Sequence, residues 1–154
     1  MRKEGIDMYQ KVLVPLDGSE LAECALTEVK KLSESGLIRE VVLLSVISIP
    51  RLNVGEGIDY SMLRKSHFEK MQKYLENIPS RIASKGIEIT TKILEGNAAE
   101  MIIDYVKKNA VDLIVIATHG YSGMKKLMFG SVALQVLHDS YVPILLIRPK
   151  SCKE

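Results

Sequence analysis

The chain has 154 residues, 47% of them hydrophobic and 26% charged, and its 21 basic and 19 acidic side chains leave a formal charge of +2. That size and balance fit one globular domain with a sizeable core and exclude the disordered and fibrous classes. No block of like charge is long enough to act as a nucleic-acid tail, and the apolar runs VVLLSVISI at 41–49 and VDLIVIA at 111–117 fall well short of the roughly 20 residues that cross a bilayer. Neither nucleic acid nor membrane is therefore expected as a partner. MRKEGIDMYQ at 1–10 has no apolar leader region, so a cytoplasmic location is expected.

In chain order, Lys11 to Leu16 (KVLVPL) is a short β-rich run that Asp17-Gly18-Ser19 breaks. Glu20 to Ser33 then places Leu21, Ala25, Leu26, Val29 and Leu32 at helical spacing. Val41 to Ile47 is apolar without alternation, as in a parallel strand covered on both faces. The Pro, Arg, Asn and Gly of 50–57 read as a loop. Asp59 to Ala83 resumes as a long amphipathic helix that Pro79 ends or kinks. Ile87 to Leu94 alternates like an edge strand, and Asn97 with Glu100 has capping-box spacing for a helix through Lys108. Val111 to Ala117, Ser131 to Ser140 and Pro143 to Arg148 follow as strand, helix and strand.

Strands alternating with helices of this length make a parallel sheet with helices on both faces, because each right-handed crossover lays its helix on one side. The expected fold is a doubly wound, Rossmann-like α/β domain over residues 1–150 with strand order 3-2-1-4-5, and 151–154 form a tail. In such sheets ligands bind beyond the carboxyl ends of the strands where the winding reverses. The loops after Leu16 and after Ala117 would face each other there.

The loop after Ala117 reads THGYSGMKKLMFGS, with Gly120, Gly123 and Gly130 before a helix that starts at Ser131. A glycine-rich loop running into a helix N-terminus offers backbone N–H groups to an anion, and the helix dipole adds about half a positive charge. On this reading Gly120, Gly123 and Gly130 turn with positive φ and approach a ligand closely, and Ser131 either caps the helix or donates to a phosphate. Lys125 and Lys126 are solvated or add local positive charge. The other reading is that these glycines only shape a turn. No GxxxxGK[ST], continued GxGxxG or GxSxG is present. The three histidines, His67, His119 and His138, have no metal-ligand spacing. Cys24 reads as a small packing residue on the first helix, and Cys152 lies in the tail.

These residues carry a resemblance. Gly120, Gly130 and Ser131 match the Gly-x2-Gly-x9-Gly-Ser/Thr signature of the universal stress protein family, with Ala117 standing where the first glycine belongs. KVLVPLDGSELAECAL, VVLLSVISIP, DLIVIATHGYSG and SVALQVLHDSYVPILLIRP also resemble that family, so the likeness spans nearly the whole chain. It implies the fold above and, for the ATP-binding branch, a nucleotide held by the loop after the fourth strand. Carried across, Pro15 and Asp17 line the cleft and the Val46 backbone meets adenine. Gly120, Gly130, Ser131 and Val132 surround ribose and phosphates. Asp17 binds ribose hydroxyls, orients a phosphate-bound Mg²⁺ or caps the first helix. His119 faces the same mouth, although it also reads as an exposed loop residue without function. The expected function is therefore ATP binding by a stress-response or regulatory module. No general base and nucleophile pair is visible, so hydrolysis is at most slow. The alternatives are a nucleotide-free dimeric interaction module and a cyclic AMP binder. The resemblance also implies a homodimer through 142–148, where an apolar edge strand invites pairing.

Overall fold

A computed structural model of the chain describes residues 8–49, 59–119 and 130–149. The loop at 50–58, the glycine-rich segment at 120–129 and the tail at 150–154 lie outside the described residues. Five parallel strands, β1 (Tyr9–Pro15), β2 (Ile38–Ile47), β3 (Glu88–Glu95), β4 (Leu113–Ala117) and β5 (Ile144–Ile147), form one sheet in the order β3-β2-β1-β4-β5. The helices are α1 (Glu20–Glu34), α2 (Tyr60–Glu76), α3 (Pro79–Ile82), α4 (Ala98–Lys108) and α5 (Ser131–Asp139). This is the expected doubly wound, Rossmann-like α/β fold.

Strand alternation divides the core. Val12, Val14, Val41, Leu43, Leu113 and Val115 turn to one face, where Ala25, Leu26 and Val29 of α1 pack with Leu75 of α2 and Ile82 of α3. Leu13, Val42, Leu44, Ile114 and Ile116 turn to the other, against Ile102, Ile103 and Val106 of α4 and Ala133 and Val136 of α5. The three inner strands are thus covered on both sides, which is why their sequences are apolar without alternation. β3 has no buried residue and β5 is half-buried throughout, as suits the two edges.

Several boundaries differ from the sequence expectation for local physical reasons. β2 starts at Ile38, ahead of the apolar run, and carries Glu40 opposite Lys11 of β1, the two side chains pairing at 3.3 Å. β4 starts at Leu113 because Asp112 turns its carboxylate onto the Gln10 and Lys11 amides, at 2.7 and 3.0 Å. The long helix over 59–83 is two helices: α2 stops at Glu76, and Pro79, which has no amide to donate, opens α3 instead. Cys24 is buried on α1, as expected; Cys152 lies outside the described residues. At the start of α2, Tyr60 and Arg64 both donate to the Glu95 carboxylate at the end of β3, and this holds that carboxyl below its usual range. No helix among the described residues is long and apolar enough to cross a membrane.

Candidate functional site

The winding reverses between β1 and β4, the neighbours from which α1 and α5 lead to opposite faces. Beyond the carboxyl ends of β1, β2 and β4 lies a cavity of about 290 Å³, bounded by the starts of α4 and α5. Eight of the sequence-derived site residues line it: Pro15, Asp17, Val46, Ala117, His119, Gly130, Ser131 and Val132. Gly120 and Gly123, with Lys125 and Lys126, lie outside the described residues.

The β1 side of the cavity is built around a tight turn. Gly18 has φ 85°, a conformation that favours glycine. The turn brings Asp17 Oδ1 to the Ser19 amide at 2.9 Å and to its hydroxyl at 2.5 Å. Ser19, not Asp17, is the N-cap of α1, its hydroxyl oxygen accepting from the Ala22 amide at 3.1 Å. Asp17 thus supports the cap one residue removed while its side of the turn lines the cavity. Below it, the buried Ser45 hydroxyl donates to the Leu16 carbonyl at 2.7 Å and holds the turn to β2.

On the β4 side the chain is tied at Thr118, which is 3% exposed. Its amide donates to the Ile147 carbonyl at 2.9 Å, and its carbonyl accepts from the Gly130 amide at 2.6 Å. The strand end and the start of α5 are therefore joined directly. The Thr118 hydroxyl meets His119 Nδ1 at 2.9 Å.

The start of α5 differs from those of the three other helices longer than one turn. α1, α2 and α4 begin on Ser19, Asp59 and Asn97, each of which accepts a first-turn amide with its side chain. α5 begins on Gly130, which has no side chain to do so. Two expectations are corrected here. Gly130 has φ −57°, open to any residue, so a positive φ is not its reason for being glycine. Ser131 is the first helical residue and not the cap. Ser131 lines the cavity at a helix start to which the cap residue, Gly130, offers no side-chain hydrogen bond.

The remaining wall is apolar: Leu16, Ala22, Leu44, Ala98, Ile102, Ile116 and Ala133. Sequence reasoning missed these because they read as ordinary core positions. Ala98 carried a signal, a small residue directly after the cap Asn97, which leaves space at the α4 start. Thr118 also carried one, the first polar residue after the run VDLIVIA. A largely apolar cavity that includes a helix start without a side-chain cap and one carboxylate, Asp17, can take a molecule that has an apolar ring and an anionic part.

The universal stress protein family model matches residues 8–148, and the chain belongs to that family. It is similar to the universal stress protein YxiE of Bacillus subtilis, 30% identical over 92% of this chain and all of the relative. Protein MJ0577 of Methanocaldococcus jannaschii has a solved structure with 32% identity and TM-score 0.81, covering 92% of this chain and 96% of that one. Two more distant structures share the fold. One is a universal stress protein in complex with cAMP, at 15% identity, TM-score 0.64 and coverage of 92% and 98%. The other is a family member from Arabidopsis thaliana with AMP bound, at 20% identity, TM-score 0.63 and coverage of 90% and 91%.

Proposed function

We propose that this chain is an ATP-binding regulatory protein of the stress response, which holds the nucleotide in the cavity between β1, β4 and α5. The observation that carries this reading is the start of α5. Its first-turn amides open on the cavity with no side-chain cap, and uncapped amides at the positive end of a helix dipole favour phosphate. The apolar slot of Val46, Leu44, Ala98 and Ile102 suits an adenine ring. Asp17 at the rim suits ribose hydroxyls or a phosphate-bound Mg²⁺, since a carboxylate is a hard oxygen ligand. The AMP and cAMP complexes of distant relatives support an adenine nucleotide as ligand class. The chain acts in the cytoplasm as a homodimer joined along β5, and the nucleotide sets conformation or partner choice.

Two measurements test the reading. Purified protein is denatured and the supernatant examined by chromatography and mass spectrometry, with ATP expected. Mg-ATP is then titrated by calorimetry into the parent and Gly130→Val. The backbone at 130 accepts a side chain without strain, so the variant keeps its fold and loses binding by crowding alone. Equal binding by a folded variant overturns the site. Release of cyclic AMP instead of ATP would favour the second reading, which the cAMP complex motivates.

A further inference from the structure

We infer that His119 contacts the phosphate end of the bound nucleotide through Nε2, with Thr118 as the residue that positions its ring. The inference rests on the adenine-nucleotide reading above and adds to it the side chain by which the site distinguishes a nucleotide from a nucleoside. His119 lines the cavity with Gly130 and Ser131, the residues that open α5. Its Nδ1 is engaged by the Thr118 hydroxyl at 2.9 Å. Thr118 is itself buried and bonded through its amide to β5 and through its carbonyl to Gly130. One buried threonine therefore sets both the imidazole and the amide at the helix cap, so ring and helix start share a single frame.

The chemistry follows from the two ring nitrogens. When the Thr118 hydroxyl donates to Nδ1, the neutral ring carries its proton on Nε2, which is then a donor. When the ring is protonated, Nδ1 donates to the hydroxyl and Nε2 still donates. Only the remaining tautomer leaves Nε2 as an acceptor, and a phosphate oxygen selects against it. Nε2 thus offers a phosphate a charge-compatible hydrogen bond from the β4 side while α5 offers amides. The charged side chain among the described residues that shares this cavity is Asp17, whose Oδ1 is taken by Ser19.

The test titrates Mg-ATP and, separately, adenosine into the parent, His119→Phe, His119→Gln, Thr118→Val, Thr118→Ser and the Thr118→Val/His119→Phe pair. Thermal melting verifies the fold of each. His119→Phe is expected to weaken ATP by about tenfold, the order of one lost hydrogen bond to a charged group, while adenosine stays within twofold. Glutamine places an amide donor near Nε2 and is expected to bind ATP almost as the parent does. Thr118→Val is expected to weaken ATP severalfold, Thr118→Ser to restore it, and the pair to bind no worse than His119→Phe alone. If His119→Phe binds ATP like the parent, or loses ATP and adenosine equally, the inference is overturned while the nucleotide reading stands. Should His119→Phe fail to fold, the glutamine variant and the two threonine variants decide: ATP binding unchanged by Thr118→Val overturns it. A parent that binds neither ligand overturns the nucleotide reading and this inference together.

Discussion

Tyr74 of α2 has a buried hydroxyl with no hydrogen-bond partner among the described residues, beside the Glu23 carboxylate of α1, which Arg81 of α3 holds at 2.7 Å. Burial first, and then the negative charge of Glu23, raise its pKa above that of a free phenol. A raised pKa means that the folded state resists ionisation more than the unfolded state does. The resulting stability is intact below the unfolded value, about 10, and is lost as pH rises beyond it. The melting temperature should therefore fall from pH 9 to pH 11, and fall less steeply in Tyr74→Phe. At pH 7 that variant should be no less stable than the parent, because it removes an unpartnered polar atom; melting curves with equal slopes would refute the assignment. Ala117 poses a different question. It continues β4 outside the left-handed region, so its backbone does not require glycine, and only its methyl bears on the cavity. Ala117→Gly should leave ATP affinity unchanged or tighten it by at most about 1–2 kcal/mol, the range of a crowded methyl group. Titration with millimolar Mg-ATP reads the outcome, and binding by the glycine variant alone would place the chain in the nucleotide-free group.

β5 and α5 leave apolar surface on one edge of the protein. Among the described residues β5 pairs with β4 alone, its four residues are half-buried, and Leu134 and Leu137 of α5 and Tyr141 of the connection to β5 are 43–62% exposed. An edge strand with free amides and carbonyls and an apolar flank invites a second copy. Light scattering at micromolar concentration should give a dimer mass, and Leu137→Glu combined with Tyr141→Glu should give a monomer that melts cooperatively. A parent that stays monomeric with and without ATP removes the proposal. At this scale the sequence was most legible where periodicity was strong. The unbroken Val-Leu-Ile runs of β2 and β4 predicted inner strands, and Asn97 with Glu100 predicted the α4 cap, whose side chain accepts the Glu100 amide at 3.1 Å. Legibility failed where a contact distant in sequence decides. The start of β4 depends on Asp112 reaching amides about a hundred residues earlier, whereas the α2–α3 break falls at Pro79, where the sequence marked an end or kink. The cavity was half legible for the same reason. Its polar residues stood out by type and motif, while its apolar wall became visible only when α4 and the strand ends met.

At the scale of the whole molecule, the proposed binding of a nucleotide is tested by its turnover. Rapid phosphoryl transfer to water needs a group that orients the attacking water and charge that stabilises the γ-phosphate. Among the described residues, Asp17 is the one carboxylate in the cavity, and Ser19 already occupies one of its oxygens. Steady-state ATP hydrolysis should therefore run far below the enzyme median of about 10 per second. A rate near that value, carried by the purified chain and lost in Asp17→Asn, would make it an enzyme. The start of α5 has one more consequence. Ser19, Asp59 and Asn97 cap α1, α2 and α4 with their side chains, whereas Gly130 gives α5 none, so an anion bound there as proposed would complete its first turn. The expected outcome of hydrogen exchange is that the amides of residues 131–133 exchange more slowly once Mg-ATP is added while the side-chain-capped helices keep one rate; no change at 131–133 would refute phosphate binding at this helix start. Because α5 leads into β5, an anion bound as proposed would stiffen the element that precedes the edge strand, and a chemical signal would become a mechanical one.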